Sequence, residues 1–131
     1  MRAAIVAEIA LDASAVLALL HREAGADVVL RHLDDAMMSA VNLAEVGARL
    51  ADHGMPKAEI RDVAEAIGVD VVPFDESQAY AAAFLRPPRA RGLSLGDRAC
   101  LALAMARGVP VLTADKAWAA LDIEVDVRVI R

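Results

Sequence analysis

At 131 residues, 58% of them apolar, the chain has the size of one ordinary domain and enough hydrophobic material for a core without disulfides or structural metals. A formal net charge of −5 works against long-range attraction to polyanions, so a nucleic acid would need local binding features. The single cysteine, Cys100, excludes an internal disulfide, and no apolar stretch reaches membrane-spanning length, because Asp12 cuts the first and Asp97 and Arg107 bracket the longest late one.

Residues 1–8 are too short and too acidic for a signal peptide and read as an extension ahead of the first strand; with the free cysteine this predicts a cytoplasmic protein. The pattern then predicts a strand at Ile9 to Leu11, helices at Ser14 to Leu20 and Gly25 to Leu33, and a strand at Met37 to Ser39. Helices follow at Val41 to His53 and Pro56 to Ile67, then a strand at Val69 to Val72 and a helix at Asp75 to Leu85. Arg86 to Gly92 reads as the one long loop. A helix from Gly96 to Arg107, a strand at Val111 to Thr113, a short helix near Lys116 to Leu121 and a strand at Val125 to Ile130 complete the chain. Pro56 suits a helix start, and Gly54, Gly68 and Gly108 suit helix ends. Short strands alternating with longer helices predict an α/β protein with a parallel sheet, formed as a single domain over 1–131. About a quarter of the residues are Ala, which favours closely packed helices.

Four acids stand where chemistry is done in such folds. Asp12 and Asp115 leave the first and fourth strands at the carboxyl edge, where open parallel sheets bind ligands. Asp97 opens a late helix, and Glu45 lies within a helix beside apolar residues, with Asn42 one turn earlier on its face. Singly, each has an ordinary explanation: a helix cap for Asp12 and Asp115, a favourable dipole for Asp97, a solvated helix surface for Glu45. Together they converge, and ionised carboxylates about 5 Å apart repel by roughly 3 kcal/mol each pair at an effective dielectric near 20, which a divalent cation relieves. Oxygen-only ligands select Mg²⁺ or Mn²⁺, and phosphodiester hydrolysis leaving a 5′-phosphate is the natural reaction. Ser14, Asn42 and Thr113 stand two or three residues from Asp12, Glu45 and Asp115 and are candidates to orient those carboxylates. Arg86, Arg91, Arg98 and Lys116 are candidate contacts for RNA phosphates, with solvation the ordinary alternative.

The segments Leu11-Asp12-Ala13-Ser14-Ala15-Val16, Ser39-Ala40-Val41-Asn42-Leu43-Ala44-Glu45-Val46, Leu93-Ser94-Leu95-Gly96-Asp97-Arg98 and Leu112-Thr113-Ala114-Asp115-Lys116-Ala117-Trp118 resemble, in order, the acidic motifs of the PIN-domain, VapC-type toxins. The resemblance spans nearly the whole chain. It implies a three-layer α/β/α sandwich around a mostly parallel sheet, and an endoribonuclease whose Asp12, Glu45, Asp97 and Asp115 coordinate Mg²⁺ or Mn²⁺. It implies a type II toxin–antitoxin system, with a VapB-type antitoxin whose DNA-binding part reaches operator DNA and whose tail lies along the toxin, and it suits a homodimer. Members often reach the first acid in about half the eleven residues that precede Asp12 here.

A haloacid-dehalogenase-like phosphatase needs a second Asp where Ser14 stands, and a receiver domain needs paired acids after the first strand and a late Lys. A catalytically silent PIN-like interaction module would keep the fold and lose the metal. His21, His32 and His53 lack metal-motif spacing, and four aromatic residues do not make a base-stacking platform.

Overall fold

The computed structural model describes residues 7–86 and 92–131. Its elements follow the predicted order: β1 (Ile9–Leu11), α1 (Ala13–Leu20), α2 (Ala26–His32), a 3-10 turn (Leu33–Asp35), β2 (Ala36–Ser39), α3 (Ala40–Asp52) and α4 (Lys57–Ile67). Then come β3 (Asp70–Val72), α5 (Glu76–Ala83), α6 (Leu95–Arg107), β4 (Val111–Thr113), a 3-10 helix (Lys116–Ala120) and β5 (Val127–Val129). The expected short late helix is thus the 3-10 helix, and β5 is shorter than its apolar run, with Val125 left as packing rather than pairing residue. Helix ends fall within a residue or two of the expected ones: Pro56 serves as the cap of α4, and Gly68 and Gly108 close α4 and α6 in the left-handed region.

The five strands form one sheet in the order β3-β2-β1-β4-β5, and every pairing is parallel. The chain moves outward from β1 through β2 to β3, then crosses back to the other side of β1 for β4 and β5. That reversal lies between β1 and β4, the place where a doubly wound sheet opens a crevice at its carboxyl edge.

Side-chain alternation along the strands builds the two outer layers. Ile9, Leu11, Met38 and Leu112 face one side, where they meet Val16, Val29, Val46 and Leu50 from α1, α2 and α3. Ala10, Met37, Val72 and Val111 face the other, against Leu101, Leu103 and Cys100 of α6, Ala82 of α5 and Trp118. The α/β/α sandwich is therefore a direct consequence of strands buried on both faces. Val16 of α1 and Val29 of α2 are fully buried and belong to this core. Cys100 is buried as well, and that burial, reinforced by the charges of Asp12, Asp97 and Glu45, raises its thiol well above the ordinary value, so it acts as a small hydrophobe. Among the described residues no helix is long and apolar enough to cross a membrane.

Gly25 ties the end of the chain to this frame. It caps α2 at φ +92°, and a Cβ there would lie 2.7 Å and 2.9 Å from the Ile130 side chain and 2.8 Å from its carbonyl oxygen. Gly54 has a similar φ of +91° with open space around it. Gly25→Ala therefore adds a steric clash to the backbone cost of about 1–2 kcal/mol that Gly54→Ala bears alone. Thermal melting should show Gly25→Ala as the more destabilised by about 2 kcal/mol, and equal losses would disprove the packing role.

Candidate metal centre

The carboxyl edge places all four predicted acids around one cleft of about 410 Å³. Asp12 directly follows β1, Asp115 follows β4, Asp97 lies in the first turn of α6, and Glu45 lies in the second turn of α3. Parallel pairing sets β1 beside β4, with Leu11 opposite Leu112, so two residues far apart in sequence are neighbours by register.

Asp12 decides against the plainest reading of its position. It occupies the cap position of α1, yet its carboxylate caps nothing. Instead its Oδ2 accepts the Ser14 hydroxyl at 2.6 Å and the Thr113 hydroxyl at 3.0 Å. Those hydroxyls are themselves held: Ser14 Oγ accepts the amide of Ala114, and Thr113 Oγ1 accepts that of Asp115. The two expected supports of Asp12 and Asp115 are thus one network linking both strand ends. Burial pushes the Asp12 carboxyl above the usual value, the Ser14 and Thr113 hydroxyls pull it back, and the charges of Asp97 and Glu45 raise it further.

Glu45 is exposed but anchored. Asn42, fully buried, donates one Nδ2 hydrogen to Glu45 Oε1 at 2.8 Å and another to the Gly96 carbonyl at 3.0 Å. These two hydrogen bonds of Asn42 join α3 to the start of α6. Asp97 and Asp115 do act as caps: Asp97 completes a capping box with Ser94, and Asp115 accepts the amide of Ala117. Each uses a single oxygen for this, Oδ2 in Asp97 and Oδ1 in Asp115.

One rule then covers the four. Asp12 Oδ1, Glu45 Oε2, Asp97 Oδ1 and Asp115 Oδ2 accept no hydrogen bond among the described residues, while the partner oxygen of each is occupied. Such a donor set of hard, anionic oxygens fits Mg²⁺ or Mn²⁺. Among the described residues no three His, Cys, Asp or Glu side chains sit close enough together to hold a metal ion as they stand.

The arginines expected near RNA are elsewhere. Arg86 and Lys116 are exposed and Arg98 is half-buried with its Nε unpartnered, and none of the three lines the cleft. Arg91 lies outside the described residues. What the cleft does contain, unforeseen, is Arg49 and Asp52. Their signal was present in the helix period: Glu45, Arg49 and Asp52 are spaced by four and three on α3. His21 and His53 also meet, edge to face with ring centres 5.6 Å apart, although neither spacing nor motif joins them.

The PIN domain family matches residues 9–124, which contain β1 to β4 and all four acids. The chain belongs to the PIN domain family. The resemblance carried by the four motifs holds at that level. Among solved structures, this PIN protein is similar to a toxin–antitoxin complex from Klebsiella pneumoniae at 16% identity, with 94% of this chain and 98% of that one covered and a TM-score of 0.72. It is also similar to VapBC2 from Rickettsia felis bound to a DNA fragment from their promoter, at 12% identity, 92% and 96% coverage and a TM-score of 0.69. VapBC-5 from Mycobacterium tuberculosis, a member of the VapBC family of toxin–antitoxin systems, shares 27% identity over 95% of this chain and 98% of that one, with a TM-score of 0.59. No curated protein matches the sequence.

Proposed function

We propose that this PIN protein is the toxin of a VapC-type type II toxin–antitoxin pair and acts as a Mg²⁺-dependent endoribonuclease. The observation that carries the reading is the cleft in which Asp12, Glu45, Asp97 and Asp115 each keep one oxygen free. Those four would hold the cation. When bound, it would polarise the phosphate and make water acidic enough to attack at neutral pH. Ser14 and Thr113 keep Asp12 oriented and oppose the upward shift that burial imposes on its carboxyl, and Asn42 fixes the reach of Glu45. Asp97 and Asp115 line the same cleft, and because their caps already restrain them, holding a cation would cost them little further side-chain entropy.

The structural neighbours described as toxin–antitoxin complexes support a VapB-type antitoxin as partner, with operator DNA reached only through it. Tyr80 on α5 and Phe84 just past its end, both exposed, support a second copy of the chain as a further partner. Arg86, Arg98 and Lys116 would then serve phosphates beyond the cleft.

A catalytically silent interaction module is the second reading, favoured by the caps that occupy one oxygen of Asp97 and of Asp115. Cleavage of total and transfer RNA by the antitoxin-free protein separates the two. Fragments should appear with Mg²⁺ or Mn²⁺ and vanish with EDTA and in Asp97→Asn, with a loss of roughly a hundredfold or more in rate. Equal cleavage by wild type and variant would remove Asp97 from the site, and the absence of both Mg²⁺ binding and RNA cleavage would favour the silent module.

A further inference from the structure

The carboxylate cleft opens sideways into a second recess of about 310 Å³, and the two share Ser14, Leu17 and Arg49. Arg49 is thus the residue on the border. Among the described residues it is the single cation lining a cleft that also contains Asp12, Glu45, Asp52, Asp97 and Asp115. On a helix, Glu45 four positions before and Asp52 three positions after are its natural ion-pair partners, and Glu before a basic residue is the favoured order. Yet Arg49 makes no ion pair among the described residues and stands exposed.

The recess beyond it is lined by His21, His53, Glu23 and Arg131. Arg131 pairs with Glu23 at 3.6 Å, so the one acid there is already matched, and the Arg49 guanidinium is left as the uncompensated charge. A strand whose cut phosphate sits among the carboxylates must place the next phosphate a few ångströms away. Along the acid-lined walls that phosphate would be repelled, whereas at Arg49 two non-bridging oxygens meet a planar fork of N–H donors.

We propose that Arg49 binds the phosphodiester adjacent to the cut bond, so that single-stranded RNA leaves the carboxylate cleft through the recess bordered by His21, His53 and Arg131. The assignment rests on the ribonuclease reading above and adds the direction of the strand to it. RNA is favoured over an acidic peptide because the border cation is continuous with the site where a phosphate would be cut.

The test is fluorescence anisotropy of a short labelled single-stranded RNA in Mg²⁺ across a salt series, with Asp97→Asn as common background so that the strand stays intact. Adding Arg49→Ala should weaken binding about tenfold and reduce the slope of log affinity against log salt by about 0.7, the share of one phosphate contact. Arg49→Lys should restore the slope, and Arg61→Ala, on an exposed turn of α4, should change nothing. Binding with an unchanged slope in Arg49→Ala overturns the subsite while leaving the nuclease intact, and opens the recess to a peptide partner instead. No RNA binding at low salt by the background protein overturns the subsite together with the reading it rests on.

Discussion

Asp12→Asn is expected to abolish cleavage and, at the same time, to raise the melting temperature of the metal-free protein. The two effects come from one fact: a carboxylate only 5% exposed is held near two other acids. Its folded-state value lies above 3.8, because burial and the charges of Asp97 and Glu45 outweigh the Ser14 and Thr113 hydroxyls. The folded protein therefore binds this proton more tightly than the unfolded chain does, and metal-free stability falls as pH rises from 3.8 through the folded value. Above that window the deficit is complete. Asn keeps an oxygen for the two hydroxyls and brings no charge, so the variant should melt higher than wild type at neutral pH and the gap should close in acid. Mg²⁺ should raise the wild-type melting temperature and move the variant much less, since a ligand stabilises in proportion to its affinity for the fold. The cleavage rate should fall by roughly a thousandfold. A variant that cuts RNA at the wild-type rate would remove Asp12 from the metal site, and one that melts lower than wild type without metal would show that the Asp12 charge is already compensated.

Gly96→Ala should separate activity from stability in the same direction by a different route. Gly96 is the second residue of α6, buried, with helical backbone that Ala adopts readily. A Cβ at that position would fall on the Glu45 carboxylate, while the Gly96 carbonyl holds Asn42, which holds Glu45 in turn. The obstructed group is the end of a flexible side chain, so the fold has an inexpensive way out: Glu45 swings aside. Helix propensity then favours Ala by about 0.5–1 kcal/mol, and the melting temperature should hold or rise. Activity should drop by about 10- to 100-fold, the range for disturbing a residue that orients a metal ligand. RNA cleavage rates and melting curves on the same preparations check both halves. Full activity would mean that Glu45 works from another rotamer, and a large fall in stability would place the strain in the α3–α6 backbone rather than at the carboxylate.

The lateral recess bears on how such an enzyme handles a substrate its net charge repels. With −5 overall, the chain does not draw RNA in by its general field. On the proposed function, the Arg49 guanidinium, unpaired among the described residues, together with cations brought to the carboxylates, would give a local path instead. That path starts where β1 and β4 part, so the topology that creates the crevice also determines which side chains line it.

Much of this was legible in the chain itself. The short apolar runs at Ile9 to Leu11 and at Met37 and Met38 mark strands, and the helix period with its Gly and Pro stops marks the layers around them. These are local properties of backbone and solvent, so sequence alone determines them, and with them the placing of Asp12 and Asp115 at strand ends. Whether those acids meet was decided only by the tertiary structure. Asp12 has the sequence context of a helix cap, and what makes it otherwise is Thr113, 101 positions away, brought beside it because β4 docks against β1. Gly96 under Glu45, the Arg49 border and the contact of His21 with His53 arise in the same way, from the order in which strands and helices pack. No short stretch encodes that order, because it is selected by burying two whole sheet faces at once.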